Sequence, residues 1–330
     1  MNAEKINALG FSFDQHFDVK GRISVSDLFP KSKSRCGIYL LNFSDDTFYI
    51  GQAIDAVRRF SQHRKKYDNI IKLWFQPIKK DKLDETEQRL IQEAELSGLL
   101  LTNKVFVSHI IGETDLDLIV SVAEQIEWLE NDLSISNDGF DLYQNIELRH
   151  KIKYRHNFEK FQKLDNYVEL KELLNLYITK CLPAYKKTEM SFWSLSCMPS
   201  TNSGTYPRYF CLNVNAMEVF VLGYEKKTKD PFCFFVSSNR FYKSEEIIDA
   251  LFEKYESLEI VESNYRTAGA DQIVLHFGDL QECKNLLLTE NDIIASIKEM
   301  NLRLMRKGGT IFSQFHCFDL SNDVTNLEKH

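Results

Sequence analysis

The sequence has no uninterrupted apolar run long enough to cross a bilayer, which takes about 20 consecutive apolar residues. Its first residues, MNAEKINALGFSFDQHF, lack the basic start and the following apolar block of a secretory signal peptide. The seven cysteines are odd in number and scattered, which argues against a disulfide framework and for a reducing compartment. We therefore expect a cytoplasmic protein that does not associate with membranes.

Internal repeats and low-complexity tracts are also missing from the chain. With 43% hydrophobic and 27% charged residues, the composition is ordinary for a soluble globular protein. A length of 330 residues provides enough apolar material for a sizeable core and favours two domains over one.

Positive charge is scarce overall, since the net charge is −7, but it is unevenly distributed. Residues 1–112 carry 17 basic and 14 acidic residues, a net charge of +3, whereas the remainder carries 24 and 34, a net charge of −10. Contacts with phosphate are local, so clusters matter more than the sum. The first part therefore favours nucleic-acid contact, through the runs KSKSR (31–35), RR (58–59), HRKK (63–66) and KKDK (79–82). The alternative is that these are scattered lysines exposed to solvent.

Two short runs of β-forming residues stand close together at 36–43 (CGIYLLNF) and 47–51 (TFYIG), with the turn formers Ser44, Asp45 and Asp46 between them. This pattern predicts a β-hairpin. Helical spacing follows in AIDAVRRFSQHRKKY, then a third strand in IIKLWFQPI and a second helix in LDETEQRLIQEAELSGL. We expect a compact β-β-α-β-α domain over 36–103.

The rest of the chain predicts a second α+β domain with a mainly antiparallel sheet, because strands arrive in blocks between helices. Helices are expected at 115–131, 165–182, 243–256 and 289–305, and the polar segment 131–164 with its basic run RHKIKYRH is interpreted as a linker with a helix. The expected strands are MSFWSLS, RYFCLNVN, MEVFVLGY, PFCFFVS, LEIVES, DQIVLHF and IFSQFHCF.

The predicted hairpin carries two related triplets, one on each strand, and four polar residues follow them in order. The triplets are Gly37-Ile38-Tyr39 and Tyr49-Ile50-Gly51, and the polar residues are Arg59, His63, Glu87 and Asn103. In this order they resemble the catalytic domain of the GIY-YIG nucleases, found in homing endonucleases, some restriction enzymes and the incision subunit of bacterial excision repair. The resemblance covers about a fifth of the chain.

The resemblance implies a small α/β (α+β) nuclease domain and an active site built from these residues. It implies that Tyr39 is the general base, that Arg59 binds phosphate oxygens, and that Glu87 is the lone protein ligand of Mg²⁺, with Mn²⁺ as a possible substitute. Tyr49 would bind a phosphate or the water network. His63 would orient a tyrosine or carry a proton, Gly37 and Gly51 would allow close approach, and Asn103 would support the active-site strands.

Structural alternatives exist for each polar residue. Glu87 could be a capping-box acid three residues after Asp84 at a helix start. Arg59 could be a surface arginine beside Arg58, His63 a solvated helix residue, and Tyr49 a packing residue of the hairpin. A free phenol is ionised only about one part in a thousand at neutral pH, so Tyr39 needs a nearby cation or a proton acceptor to act as a base.

We expect four regions: an N-terminal extension (1–30), the GIY-YIG nuclease domain (31–112), a helical and partly basic linker (113–164), and an α+β regulatory or targeting domain (165–330). The expected function is Mg²⁺-dependent hydrolysis of DNA, in phage defence or restriction slightly ahead of DNA repair. The last domain would select the substrate, bind a protein partner or self-associate. The alternative is a nucleic-acid-binding or protein-interaction module that does not cut. Expected DNA contacts are Lys33, Arg35, Arg58, Arg64, Lys65, Lys66, Lys151 and Lys153.

Overall fold

The computed structural model of the chain describes residues 2–12, 15–131 and 146–326. The chain divides into two compact units, Met1–Gly112 and Glu113–His330. Among the described residues, none of the helices is both long and apolar enough to pass through a membrane.

The first unit is a four-stranded antiparallel sheet in the order β1-β4-β2-β3, with helices against its faces. A short 3-10 turn over Lys80–Lys82 precedes its last helix. Its elements are α1 (Asn2–Ala8), β1 (Phe17–Asp18), β2 (Gly37–Phe43), β3 (Phe48–Ala53), α2 (Ala56–Lys66), β4 (Ile70–Pro77) and α3 (Leu83–Leu96). From β2 to α3 this matches the predicted β-β-α-β-α order.

Strand β2 is the centre of this unit, and all seven of its residues are buried. Because successive side chains of a strand point to opposite faces, Ile38 and Leu40 enter one core, which α3 covers with Leu90 and Ile91. Tyr39, Leu41 and Phe43 enter a second core on the other face, together with Phe60 of α2. The continuous apolar run of β2 therefore reflects a strand that is covered on both faces.

The residues predicted as an N-terminal extension are part of the same unit. Ile6, Leu9 and Phe11 are buried in the core that contains Ile38, and β1 pairs with β4 in the register Phe17 to Leu73. The structure thus differs from the predicted boundary at residue 31. The separate apolar residues of this stretch only acquire a buried face by packing on the later strands, which the local sequence does not reveal.

The second unit contains a six-stranded antiparallel sheet in the order β5-β6-β7-β8-β10-β9. The prediction of a mainly antiparallel sheet is confirmed. Its strands are β5 (Trp193–Cys197), β6 (Arg208–Val214), β7 (Met217–Tyr224), β8 (Pro231–Ser238), β9 (Leu258–Glu262) and β10 (Gln272–Phe277). Its α-helices are α4 (Val122–Asn131), α5 (Leu148–Lys151), α6 (Arg155–Phe161), α7 (Tyr167–Cys181), α8 (Tyr185–Thr188), α9 (Glu245–Lys254), α10 (Leu280–Thr289), α11 (Asn291–Arg306) and α12 (Phe318–Thr325).

One apolar core extends through the second unit. The ring of Tyr177 on α7 stacks on Phe220 of β7, with ring centroids 4.5 Å apart. Trp128 and Phe161, from the segment predicted as a linker, are buried in the same core. The described residues of 113–164 therefore belong to this unit. The burial of Trp128 and Phe161 was not predicted because most of the residues near them in the sequence are polar. Residues 132–145, also predicted as linker, lie outside the described part of the chain.

The prediction of a strand at 311–318 is wrong. A 3-10 turn forms over Ser313–Phe315, and α12 begins at Phe318. The segment meets β5 through one backbone bond, from the Cys317 N–H to the Leu195 carbonyl at 2.7 Å, instead of a ladder. The β-forming residues of this run suggested a strand, but most of the run forms a turn that does not pair along β5. Helix α10 was not predicted; Asp279 begins it by accepting hydrogen bonds from the next turn.

Candidate active site

The hairpin β2–β3 places the two tyrosines of the triplets on one face. Tyr39 lies directly across from Gly51 in the strand register, and Tyr49 is two residues before Gly51 on the same strand. Residues two apart share a face, so both phenol rings rise from the same side. Their ring centroids are 6.1 Å apart, with the planes at 25°.

The two glycines leave room that this arrangement needs. A Cβ atom at position 51 would overlap the ring and hydroxyl of Tyr39 and lie 2.8 Å from the ring of Tyr49. A Cβ atom at position 37 would overlap the backbone carbonyl of Gln76 on β4. Glycine at 51 therefore allows Tyr39 to lie across the neighbouring strand, and glycine at 37 allows two strands to approach closely.

Helix α2 supplies the residues that contact the phenols. Its start is capped by Asp55, whose side chain accepts a hydrogen bond from the Arg58 N–H at 3.0 Å. Arg59 and His63 are four residues apart and so lie on one helical face. Arg59 Nε donates to the Tyr39 hydroxyl at 3.1 Å, and the same hydroxyl is 2.8 Å from His63 Nε2.

The Tyr39 hydroxyl is thus the meeting point of a guanidinium and an imidazole. His63 also contacts Tyr49, with ring centroids 4.8 Å apart. The structure brings together all four residues that the sequence placed on these elements. The alternatives of a solvated His63 and a surface Arg59 do not fit, since His63 is buried and Arg59 is half-buried against Tyr39.

Burial sets the protonation of this cluster. It raises the pKa of Tyr39, assisted by the negative charge that Tyr49 would carry, while Arg59 opposes the shift. Burial likewise raises the pKa of Tyr49. Burial, followed by the positive charges of Arg59 and Lys66, lowers the pKa of His63 to about 4. At neutral pH both phenols are protonated and the imidazole is uncharged, so one of its ring nitrogens can accept a hydrogen bond.

Glu87 reaches the site from α3, at the open edge of the sheet. β3 is an edge strand, and edge strands leave outward backbone groups that need partners. Glu87 Oε1 accepts from the Gln52 backbone N–H at 3.1 Å, and Oε2 accepts from the Gln52 side-chain amide at 2.9 Å. Its negative charge raises the pKa of both Tyr39 and Tyr49, so the carboxylate lies within electrostatic reach of the phenols.

The capping-box alternative for Glu87 is wrong. Helix α3 begins at Leu83 after Lys82, and no side chain caps its first turn. Glu85 remains near that end and pairs with Lys82 at 2.9 Å. Glu87 is consequently one turn inside the helix, where its carboxylate can be directed to β3.

Two residues beside Glu87 were not predicted as part of the site. The Gln52 amide donates to Glu87 and also to Asp84 Oδ1, the latter at 2.5 Å. Gln52 directly follows the second triplet, and this adjacency is the only signal in the sequence that points to it. Asp84 gave no such signal, because only the approach of α3 to β3 brings it near Gln52.

Asn103 forms hydrogen bonds with the backbone of the same edge strand, at Ile50. Its Oδ1 accepts from the Ile50 N–H at 3.1 Å, and its Nδ2 donates to the Ile50 carbonyl at 2.8 Å. Asn103 is buried, and it occupies the place that a neighbouring strand would take beside Ile50, which lies between Tyr49 and Gly51. The amide therefore holds the backbone that carries Tyr49 in position, without contacting the phenols in the described hydrogen bonds.

The predicted DNA-contact residues of the first unit fall into two groups. Arg35 donates to the Phe29 carbonyl, and Arg64 donates to the carbonyls of Val19, Asp68 and Ile70. These two arginines hold the chain's own loops. The other four are exposed: Lys33, Arg58, Lys65 and Lys66. Their contact with DNA stays a prediction.

Lys151 and Lys153 are in the second unit. Lys151 is half-buried at the end of α5, and Lys153 Nζ donates to the Gln314 carbonyl at 2.6 Å. The Lys153 ammonium also lies 5.2 Å from the ring centroid of Tyr154. Their contact with DNA stays a prediction.

Among the described residues, no three His, Cys, Asp or Glu side chains are grouped closely enough to hold a metal ion by themselves. Comparison of the chain with protein-family models, with curated proteins and with solved structures gives no match in any of the three.

Proposed function

We propose that the first unit is a GIY-YIG-type endonuclease that hydrolyses phosphodiester bonds of DNA with the help of Mg²⁺, for which Mn²⁺ can substitute. The observation that carries the proposal is the convergence of Arg59 and His63 on the Tyr39 hydroxyl, with Tyr49 beside it and the Glu87 charge within reach. Hydrolysis of a phosphodiester needs a proton acceptor for the attacking water and positive charge for the phosphate oxygens. This cluster provides both.

The proton path starts at Tyr39. Its raised pKa makes a standing phenolate scarce, so the hydroxyl serves best by accepting the proton of a water as it passes its own proton to His63. The lowered pKa of His63 keeps the imidazole neutral at the start of each turnover, in the tautomer whose Nε2 accepts from the hydroxyl. Arg59 stabilises negative charge on the phenol oxygen and on the phosphate, because guanidinium remains charged at any working pH.

The residues present fit a hard divalent cation. Both Glu87 carboxylate oxygens accept hydrogen bonds from Gln52, and carboxylate oxygen is the kind of ligand atom that Mg²⁺ prefers. Glu87 would hold the ion together with substrate and water oxygens. When bound, such an ion supplies Lewis-acid stabilisation of charge on the phosphate. Gln52 orients the carboxylate by contacting both of its oxygens.

The proposed substrate is DNA because the first unit carries the exposed cations Lys33, Arg58, Lys65 and Lys66. The second unit has a net charge of −10 if all its residues are counted, which makes it a poor general clamp for DNA. We assign it the selection of substrate or of a protein partner. Restriction or phage defence is the setting we place ahead of DNA repair.

The test is a cleavage assay with purified full-length protein, supercoiled plasmid and Mg²⁺. We expect nicked or linear product with the unchanged protein, and its loss with Glu87→Gln while DNA binding in a gel shift persists. Glu93→Gln is the matched control: it makes the same substitution on the same helix, where Glu93 pairs with Arg89 at 2.8 Å away from β3. This control should cut normally.

Two outcomes would count against the proposal. Undiminished cleavage by Glu87→Gln would show that the Glu87 carboxylate is not needed for cleavage. DNA retention by the unchanged protein with no product over a range of Mg²⁺ and Mn²⁺ concentrations would favour a binding module that does not cut.

A further inference from the structure

The second unit contains a cavity of about 470 Å³ at the β5 end of its sheet. Strands β5, β6 and β7 form its floor, and the turns around residues 198–201 and 312–315 form its sides. This size lies in the range of sites for small molecules, which is roughly 300–1,000 Å³. The cavity plays no part in the proposed cleavage chemistry, since its residues all belong to the second unit.

A row of polar side chains lines the floor. Arg208 forms a short ion pair with Glu218, and its Nη1 is 3.8 Å from the Cys211 sulfur, which is 3.8 Å from Asn213 Oδ1. Only 9% of the surface of Arg208 and 6% of the surface of Asn213 are accessible to solvent. Burying such groups costs free energy unless they find partners, so a polar row at this depth needs an explanation.

Several donors of this row have no protein partner among the described residues, and their side chains line the cavity. Among the described residues, nothing accepts from Asn213 Nδ2 or from Arg208 Nη2 and Nε, and none of these atoms is sealed from solvent. The Glu218 carboxylate, whose side chain is 30% exposed, lines the cavity beside these donors. Buried polar groups in native proteins are nearly always paired, with protein, water or ligand. The cavity therefore presents donors and an acceptor side by side to whatever enters it.

Aromatic rings form the walls. Tyr154 is fixed by its hydroxyl, which donates to the Gln314 carbonyl at 3.0 Å, and Phe312 and Phe315 line the cavity from the turn that contains Gln314. Phe315 is 47% exposed, so its ring is partly accessible where it lines the cavity. A planar ligand can stack on such rings while its edge reaches the polar floor.

We propose that this cavity binds a nucleobase. The Arg208–Glu218 pair leaves the floor without net charge, which favours a neutral ligand over a strongly charged one. Arginine, asparagine and glutamate are also the side chains that match the donor and acceptor edges of bases. A nucleobase combines such an edge with a flat face for the aromatic walls. The base comes either from a free nucleotide that signals to the protein or from a nucleic-acid strand that turns a base outward.

The test measures binding to full-length protein by calorimetry, so its outcome does not depend on whether the first unit cuts DNA. One arm uses the four ribonucleosides and their monophosphates. The other uses a duplex with one unpaired base and a matched duplex without it. We expect one base to bind in at least one arm. Tighter binding of the free nucleotide identifies a signal molecule, and a preference for the unpaired base identifies a strand-reading site.

Asn213→Ala should weaken that binding about tenfold, equivalent to about 1.4 kcal/mol. Asn285→Ala is the matched control, because Asn285 is exposed on α10 outside the cavity. Since Asn213 is buried and its loss could disturb folding, Phe315→Ala serves as a second variant on the exposed wall, with Phe315→Tyr expected to restore binding. Absence of binding in both arms at millimolar ligand, or binding that neither cavity variant weakens, overturns the proposal.

Discussion

Individual side chains in the candidate site have strongly environment-dependent chemistry. Tyr39, Arg59 and His63 are ordinary residues in sequence, but each is altered by the others: the imidazole is kept neutral, the phenol is kept protonated, and the guanidinium bonds to the phenol oxygen. Such shifts cluster at functional sites because burial and fixed charges are what adjust a proton acceptor. The shifts of this cluster can be tested directly.

His63 should make the first unit lose stability in acid. Its pKa falls from 6.5 to about 4 on folding. Between these pH values the unfolded chain binds a proton that the folded chain does not, and this binding stabilises the unfolded state. We expect the free energy of unfolding to drop by about 3 kcal/mol from this residue as the pH falls through that window. Hydrogen exchange of β2–β4 at pH 7 and pH 4 should show the drop in the unchanged protein and less of it in His63→Gln. An equal drop in both proteins would contradict the assignment.

Arg59→Lys should lower the cleavage rate about a hundredfold with little effect on stability. Lysine keeps the charge but lacks the planar fork that can bond to Tyr39 and to phosphate oxygens at once, and losing one such donor typically costs that much. Single-turnover cleavage of labelled DNA measures the effect. Arg89→Lys, at an exposed position on α3 where Arg89 pairs with Glu93, is the control and should keep its rate.

At the scale of elements, the edge of β3 organises the site. Its outward backbone groups are satisfied by the Leu100 carbonyl at Phe48, by Asn103 at Ile50 and by Glu87 at Gln52. The strand therefore has no open edge at these three positions, and the same contacts position its tyrosine and the proposed metal ligand. Structural support and chemistry share one strand.

Gly51→Ala should destabilise the first unit and displace Tyr39. The added Cβ overlaps the Tyr39 ring, and overpacking of this kind costs roughly 1–3 kcal/mol. Thermal unfolding and cleavage should both decline. Gly204→Ala is the control, because open space surrounds that position. Normal stability and activity of Gly51→Ala would show that Tyr39 does not need its observed position.

Asn103→Ala should loosen the middle of β3. The substitution leaves the Ile50 N–H and carbonyl without their side-chain partners, and an unsatisfied buried group costs about 1–3 kcal/mol. We expect hydrogen exchange at Ile50 to be faster than in the unchanged protein, whereas exchange in β2 should stay as slow as before. Unchanged exchange at Ile50 would mean that other groups hold this strand.

At the scale of the whole molecule, charge and core divide at the same place. The boundary at Gly112 separates two apolar cores from a third, and it also separates a positive sequence from a negative one. A unit with its own core should fold without the other.

A fragment of residues 1–112 should therefore fold and bind DNA more tightly than the full chain at low salt. Its net charge is +3, against −7 for the whole protein, and the repulsion from the acidic unit is absent. Salt should remove the difference, because the Debye length shrinks to about 8 Å at physiological ionic strength. Fluorescence anisotropy over a salt series gives the comparison. Weaker binding by the fragment at every salt concentration would show that the second unit contributes to DNA contact.

The sequence by itself determined most of the elements and the identity of the proposed active-site residues. Apolar periodicity, turn residues and the two triplets are local signals, and local signals were enough for the β-β-α-β-α order and for most strands of the second sheet. They failed at 311–318, where β-forming residues belong to a turn and not to a strand. They also failed at residues 1–30, whose apolar side chains become buried only against distant strands.

Only the tertiary structure decided what those residues contact. That Glu87 bonds to Gln52 rather than capping its helix depends on how α3 approaches the edge of β3. The polar row of Arg208, Asn213 and Glu218 likewise becomes one site only when neighbouring strands align with the turns around them. The physical reason is the same in both cases. Burial and hydrogen bonding act over distances in space, while the signals in a sequence extend over a few turns or strands of chain.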